Sequence, residues 1–250
     1  MTGTVFIISD PPDVTVTYDS SSHTLTCTAE GIPNAYTFSL GEHRVGETLV
    51  RKLGTQTRGT SVTYTLPDTL TYADTGDYVC TVTNGIKSGQ KGQFYVAPPT
   101  PAVFQNHSQT LVIGLGKTET ISVPFYARPS SGSVQVKWEK TEESDALESH
   151  LEEAGPVRLV VYGQEVSLPG IVTTLTLTNV SPTNEGEYSV TVTCNINGVA
   201  KTSKTSFYVS VTEISGIYTL PNNWYPLSKN YHTLTHRAHP ITHWVHPIAH

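Results

Sequence analysis

The sequence is poor in charged residues, in sulfur-containing residues and in long apolar runs. Of its 250 residues, 14% are charged and 37% are hydrophobic, with one Met and three Cys. An average soluble chain is about 25% charged. This composition excludes a disordered polyelectrolyte. The abundance of Thr, Val, Ser, Gly and Tyr, with only 15 Lys and Arg residues, excludes a long amphipathic helix or coiled coil. No stretch approaches the roughly 18–20 apolar residues of a membrane helix.

Signals for nucleic-acid binding and for catalysis are also missing. The net charge is −6, and the 15 basic residues form no cluster, which argues against a nucleic-acid partner. The sequence contains no G-x-S-x-G, Walker loop or H-E-x-x-H motif, and no carboxylate pair in a predicted folded region. We therefore predict that the protein is not an enzyme and uses no cofactor or metal.

The first ten residues, MTGTVFIISD, do not form a secretory signal peptide. They lack a basic segment, and their apolar run is too short. Either the protein is cytosolic, or the chain is a fragment of a longer protein whose leader is missing. The residues discussed below favour the second alternative.

The chain divides at a proline-rich stretch, Ala97–Pro101, which predicts a short, stiff linker. Short alternating runs bounded by turn residues occur on both sides of it and predict β-strands. Before the linker these are Thr4–Ile8, His23–Ala29, Ala35–Leu40, Ser61–Leu66, Asp77–Thr83 and Gln93–Val96. After it they are Thr120–Tyr126, Val134–Lys140, Arg158–Tyr162, Thr173–Leu177, Glu187–Asn195 and Thr205–Val211. We predict an all-β protein with domains at 1–97 and 98–211 and a tail at 212–250.

The two halves repeat each other. DTGDYVCTVTN at 74–84 aligns with NEGEYSVTVTC at 184–194, and QFYV at 93–96 aligns with SFYV at 206–209. An ordered series of matches indicates a duplicated domain.

The first half carries a set of residues at characteristic spacings, namely Cys27, Phe38, Leu66, Asp74, Gly76, Tyr78 and Cys80. This set resembles the framework of an immunoglobulin-superfamily domain of the compact C2 or I type. The resemblance implies a β-sandwich whose sheets are joined by a Cys27–Cys80 disulfide, with Phe38 in the place of the usual Trp. It also implies that Tyr78 forms a tyrosine corner, that Gly76 allows the tight turn before it, and that Asp74 pairs with an arginine, either Arg51 or Arg58.

The second half keeps part of this framework. Trp138 and Tyr188 stand where the family has its core Trp and corner Tyr, but Phe125 and Val190 replace the two cysteines. The resemblance therefore implies a second sandwich held by apolar packing without a disulfide. The third cysteine, Cys194, has inward parity on its strand, and we expect a buried free thiol. The alternative is an intermolecular disulfide or a bridge to a missing part of a longer chain.

Three further features lie outside the framework. An acidic stretch at 141–156 predicts a solvated loop with a helical turn, because Leu147 and Leu151 are four residues apart. Asn106 and Asn179 begin N-x-S triplets, which mark glycosylation sites in a secreted protein. The tail repeats H-P-I and holds most of the histidines, namely His232, His236, His239, His243, His246 and His250; we expect disorder there, with adventitious metal binding as the alternative.

The resemblance implies a binding module of a cell-surface or secreted protein that acts in adhesion or recognition through a protein ligand, homophilic or heterophilic. Any membrane anchor would belong to a longer form. The candidate contact surfaces are the end loops: Glu30–Asn34 and Asn84–Gln90 in the first domain, and Arg128–Ser133 and Asn195–Val199 in the second. The alternatives are an intracellular structural tandem such as those of muscle filaments, and a soluble innate-immune recognition protein.

Overall fold

The protein is described by a computed structural model that covers residues 9–213, apart from 40, 87–88, 107–108, 142–145 and 148–149. Nearly all of the regular structure is β-strand. The first half contains β1 (Asp13–Asp19), β2 (Thr24–Glu30), β3 (Tyr36–Phe38), β4 (Gly41–Val45), β5 (Thr48–Leu53), β6 (Thr57–Gly59), β7 (Ser61–Thr65), β8 (Gly76–Thr83) and β9 (Gln90–Val96). The second contains β10 (Thr100–Phe104), β11 (Thr110–Gly114), β12 (Glu119–Arg128), β13 (Ser131–Lys140), β14 (Ala146–Leu147), β15 (His150–Val161), β16 (Gln164–Leu177), β17 (Gly186–Ile196) and β18 (Val199–Thr212).

Strands β1 to β9 form the front sandwich. One sheet has the order β1-β2-β7, and the other has β5-β4-β8-β3-β6, with β9 paired to β8. Strands β3 and β4 pair with successive parts of β8, so together they act as one interrupted strand. Inward residues alternate with outward ones along β2, and Leu25, Cys27 and Ala29 are buried against the facing sheet.

Strands β10 to β18 form the rear sandwich, with sheets β10-β12-β16-β15 and β11-β18-β17-β13-β14. All pairs are antiparallel except β11 with β18, which run parallel. This is the two-sheet order of immunoglobulin domains. The chain therefore folds as two immunoglobulin-like sandwiches in tandem, and the predicted fold class is confirmed.

No described strand of one sandwich pairs with a strand of the other, yet the two pack as one compact unit. The domain limits drawn from the sequence stay a prediction, and the tail from residue 214 lies outside the described residues. The linker is shorter than predicted, because Thr100 and Pro101 already belong to β10. Proline is tolerated there because β10 is an edge strand.

Eleven of the twelve predicted strands overlap observed ones, and Thr4–Ile8 lies outside the described residues. Sequence patterns missed β1, β4, β5, β6, β10, β11 and β14. The predicted helical turn at 141–156 is wrong where the structure describes it. Leu147 pairs with Trp138 in β14, and Leu151 pairs with Thr173 in β15, because both leucines extend neighbouring sheets.

No helix with the length and hydropathy of a membrane span occurs in the part of the chain that the structure describes.

Candidate functional sites

A sulfur bridge joins the two sheets of the front sandwich. Cys27 on β2 and Cys80 on β8 are bonded, with their Cα atoms 6.4 Å apart. Phe38 is fully buried in the same apolar cluster. In the chain-entropy model, a bridge closing a loop of this length stabilises the fold by about 4 kcal/mol.

Tyr78 forms a tyrosine corner at the start of β8. Its hydroxyl donates to the backbone oxygen of Asp74 at 3.1 Å, and burial raises its pKa to about 12. Gly76 has φ +144°, and a Cβ there would come within 2.2 Å of the Arg44 carbonyl oxygen. Only glycine therefore fits at this position.

The Asp74 carboxylate is buried and has three kinds of partner. One oxygen accepts a hydrogen bond from the backbone N–H of Thr71 at 3.0 Å, which caps the 3₁₀ turn Tyr72–Asp74. The other accepts from Arg51 Nη2 at 3.0 Å and from the hydroxyl of Tyr162 at 2.6 Å. The arginine partner that the sequence left open is therefore Arg51, and Arg58 lies on the exposed strand β6.

The rear sandwich repeats the corner without a disulfide. Tyr188 donates to the backbone oxygen of Asn184 at 2.9 Å, while Phe125 and Val190 are both fully buried in the core between the sheets. Trp138 is also fully buried, and its indole N–H donates to Thr173 Oγ1 at 2.8 Å. The indole nitrogen would otherwise be an unpaired buried donor.

A third apolar cluster, here called the junction cluster, holds the two sandwiches together. Val45 and Val50 of the front sandwich share it with residues of the rear one. The rear members are Tyr126, Val157, Leu159, Val161, Val166 and Leu168. Full burial of each Val or Leu side chain contributes about 1.5–3 kcal/mol, so this contact, together with the short linker, fixes how the halves pack.

Most of the rear members come from one hairpin tip, residues 157–168, here called the clasp hairpin. β16 pairs with β12 only as far as Ile171, and beyond it β16 pairs with β15 alone. Gly155 faces Gly170 and Pro156 faces Pro169 at the point where the hairpin leaves the sheet, next to an irregularity of register. A Cβ on Gly170 would lie 2.7 Å from the Phe125 carbonyl oxygen. The glycines therefore allow the close approach that carries the clasp hairpin past the sandwich.

Polar contacts complete the junction. Tyr162, at the turn of the clasp hairpin, donates to Asp74 and lies under the guanidinium of Arg51, whose Cζ is 3.8 Å from the ring centroid. Burial and the Asp74 carboxylate raise the pKa of Tyr162 to about 12. Tyr72 donates to the backbone oxygen of Val160 at 3.3 Å. The front tyrosine corner is thus also the anchor of the rear sandwich.

His43 lies beneath this anchor. It is fully buried on β4 and stacks on Tyr78 with ring centroids 4.5 Å apart. Its Nε2 is 3.0 Å from the Thr75 carbonyl oxygen, so Nε2 carries the proton. Nδ1 has no hydrogen-bond partner among the described residues. Burial is the largest cause that lowers the pKa of His43, and the Arg51 charge adds to it.

The front end loops are fastened to each other. The side-chain amide of Asn84 donates to the backbone oxygens of Asp10 at 2.7 Å and of Pro33 at 3.3 Å. Asn84 also accepts from the backbone N–H of Ile86 at 3.3 Å. Two isoleucines project from this surface, Ile32 at 55% exposed and Ile86 at 44%. We call residues 30–34 and 84–86, which include Ile32 and Ile86, the front tip.

The rear end loops are also joined, because Ser130 Oγ donates to the Asn197 side chain at 3.0 Å and accepts from its backbone N–H at 2.7 Å. They do not form an equivalent tip. Asn197 borders a cleft of about 680 Å³ whose other walls are Tyr18, Phe94 and the linker prolines. These loops therefore face the front sandwich.

The remaining predicted residues fall at separate places. Cys194 is buried with its thiol free. Asn106 and Asn179 are both exposed. Within the described residues, no three His, Cys, Asp or Glu side chains lie close enough together to hold a metal ion, and the histidines of the tail lie outside that part of the chain.

Sequence reasoning missed Asn84, His43 and Tyr162. One signal was present for Asn84. It aligns with Cys194 in the internal repeat, so it has the inward parity of a buried strand end, where a polar side chain needs partners.

No family model matches the chain, and neither does any curated protein. Matching solved structures include Dpr2 Ig1-Ig2 in complex with DIP-Theta Ig1-Ig3, at 16% identity over 82% of this chain and a TM-score of 0.49. They also include the mouse nectin-like molecule 4 ectodomain, Ig1-Ig3 (14%, 84%, 0.44), and the titin I-band fragment I67-I69 (17%, 82%, 0.31). The chain covers 66% of the length of each. At these identities the likeness concerns the fold alone.

Proposed function

We propose that this tandem of immunoglobulin-like sandwiches is a non-enzymatic binding module that acts outside the cell in adhesion or recognition, with the front tip as its contact surface. One observation carries the proposal: Asn84 fastens the two front loops together while Ile32 and Ile86 project into solvent.

Ile32 and Ile86 expose apolar side-chain area at one end of the front sandwich. Burial of this area by a partner would be favourable, at about 25 cal/mol per Å². The fastening of the loops adds to this, because a surface already ordered in the free protein loses less conformational entropy on binding. Apolar side chains on a rigid support are the arrangement expected of a protein-binding surface.

The Cys27–Cys80 bond supports an extracellular setting, since disulfides persist in oxidising compartments and are rare in the cytosol. The packed junction also supports the proposal, because a rigid pair of sandwiches can hold its outer end away from a membrane or a further domain. A tandem held by an apolar cluster and by the hydrogen bond from Tyr162 to Asp74 presents its front tip in a fixed direction.

The test uses beads coated with the chain and fluorescent tetramers of the chain added to intact cells of its source tissue. Ile32→Asp and Ile86→Asp should each lower bead aggregation or cell binding at least tenfold while leaving thermal unfolding unchanged. Val112→Asp is the matched control, because Val112 is an exposed apolar residue of the rear sandwich. Equal binding by the control and the tip variants would contradict the assignment of the tip. Absence of binding in both assays would contradict the recognition role.

An intracellular structural role has one observation in its favour, the buried free thiol of Cys194 in a sandwich without a disulfide. Thiol titration of denatured protein from its native source separates the two functions. One reactive thiol supports the extracellular proposal, and three support the intracellular one.

A further inference from the structure

A groove of about 410 Å³ runs across one side of the junction. Tyr72 of the front sandwich forms one wall, and Phe104 and Val160 of the rear sandwich form others, with Arg158 and Glu165 at the rim. The volume lies within the range of small-ligand sites, roughly 300–1,000 Å³. Both sandwiches therefore contribute to a surface that a single ligand can bridge.

Asn106 opens into this groove. It follows directly after β10, it is exposed, and it is one of the residues that line the groove. It is also the first residue of the triplet Asn-His-Ser at 106–108, the acceptor pattern for N-linked glycans.

Asn179 provides an internal comparison. It too is exposed and begins an N-x-S triplet, but it occupies a turn with φ +49°. Its triplet is followed by Pro182, and the hydroxyl of Ser181 is within 2.7 Å of Thr183 Oγ1. Asn179 is not among the residues that line the groove.

The groove has the chemistry that a sugar requires. Tyr72 and Phe104 offer aromatic surface to the C–H faces of a pyranose, and Arg158 and Glu165 offer a donor and an acceptor for its hydroxyls. The two charged groups are 3.8 Å apart and largely exposed. The hydroxyls of a sugar would therefore replace water as their hydrogen-bond partners. Val160 is 58% exposed on the edge strand β15, and exposed apolar edges are surfaces that proteins tend to cover.

We propose that Asn106 carries an N-linked glycan whose first N-acetylglucosamine lies in this groove, contacts both sandwiches and stabilises their packing. In the transfer, Nδ2 of Asn106 bonds to C1 of the sugar as the bond from C1 to the pyrophosphate of a lipid-linked donor breaks, and Nδ2 loses one proton. The inference rests on the proposed extracellular setting, because the donor and its transferase belong to the secretory pathway.

The test expresses the chain in secretory cells that make only high-mannose glycans. Endoglycosidase H then trims each glycan to one N-acetylglucosamine, and mass spectrometry reads occupancy at each Asn. The trimmed wild type should unfold roughly 2–4 °C above Asn106→Gln, a measurable shift for a chain of this size. Asn179→Asp, which removes the second acceptor and keeps a residue type that tolerates the positive φ at this position, should unfold at the same temperature as the wild type. Val160→Asp, which changes only an exposed wall of the groove, should abolish the difference between the sugar-bearing and Asn106→Gln forms.

An unmodified Asn106 in secreted protein overturns the inference. So does an occupied Asn106 whose sugar gives no thermal shift, or a shift that survives Val160→Asp. These failures are distinct from a failure of the proposed function. If the beads or tetramers still bind through the front tip while Asn106 is bare, only the glycan inference is lost.

Discussion

The hydroxyl of Tyr162 offers a direct test of how the two sandwiches are coupled. Tyr162→Phe removes one oxygen atom, which donates to Asp74 at 2.6 Å, and keeps the ring under Arg51. Asp74 also retains its bonds from Arg51 and Thr71, so the substitution leaves no stranded buried charge. The measured loss then reports the hydrogen bond that spans the junction.

A hydrogen bond to a charged group contributes about 1.5–3 kcal/mol. Tyr162 is 44% exposed, so water competes for its hydroxyl although the Asp74 carboxylate is buried, and we expect about 1–1.5 kcal/mol. For a chain of this size, that corresponds to a fall in Tm of roughly 2–6 °C. The assay is thermal unfolding at pH 7.5 followed by fluorescence and circular dichroism. The control is Tyr95→Phe, because Tyr95 is similarly exposed and its hydroxyl has no hydrogen bond in the described part of the chain.

The pH dependence gives a second measurement on the same pair. The pKa of Tyr162 is raised to about 12, above the value near 10 of an unfolded chain. A raised pKa means that the folded state holds the proton more tightly. The protonated hydroxyl of Tyr162 therefore makes its full contribution to the free energy of unfolding below pH 10, and this contribution is lost as the pH rises from about 10 to 12. Tyr162→Phe should show a shallower loss than the wild type in that window. If its Tm matches that of Tyr95→Phe and its alkaline profile matches that of the wild type, the hydroxyl does not couple the sandwiches.

Three further predictions concern buried groups. Burial lowers the pKa of His43, so the stability that neutral His43 contributes is present above the unfolded value near 6.5 and is lost as the pH falls below it. His43→Gln should reduce the dependence of the free energy of unfolding on pH, measured by urea unfolding between pH 7.5 and 5. An unchanged dependence would assign it to other groups. Thr173→Val should cost about 1–3 kcal/mol by leaving the Trp138 indole donor unpaired. Thr173→Ser keeps the acceptor and should cost less, and a larger loss in Thr173→Ser than in Thr173→Val would show that packing of the methyl group matters more than the hydrogen bond. Replacing Cys27 and Cys80 together by Ala should lower the free energy of unfolding by about 4 kcal/mol, measured against the wild type with and without reductant. A double variant whose stability still falls on addition of reductant would contradict the assignment of the reductant effect to the Cys27–Cys80 disulfide.

The core framework was predictable from sequence because its signals are local. The spacing of Asp74, Gly76, Tyr78 and Cys80 encodes a capped turn, a left-handed glycine and two inward side chains on one strand. Each of these requirements acts over a few residues. A pattern of residue types at fixed offsets therefore carries them, and the same pattern around Tyr188 predicted the second corner.

The junction was not predictable in this way, because its partners are distant in the chain. Asp74 and Tyr162 are 88 residues apart in the chain. The local sequence around either residue gives no indication that the two are in contact. The dipeptides Gly155-Pro156 and Pro169-Gly170 resemble ordinary turns. Only the register of β15 with β16 places them opposite each other, where they mark the start of the clasp hairpin. His43 was missed for a related reason, since a His between charged neighbours on a short strand has the pattern of an exposed residue.

The two tyrosine corners show why the front one carries an acid. Both have a 3₁₀ turn, a glycine with φ near +140° and a tyrosine bonded to the backbone four residues earlier. In the rear corner, Asn184 caps its turn by accepting from the backbone N–H of Ser181 at 2.9 Å, so an uncharged amide is sufficient for the corner itself. The charge of Asp74 serves two contacts that the rear corner lacks, the guanidinium of Arg51 on β5 of the same sandwich and the hydroxyl of Tyr162 from across the junction. The position that sequence comparison marks as framework is therefore, in the front sandwich, also the point that fixes the direction of the tip.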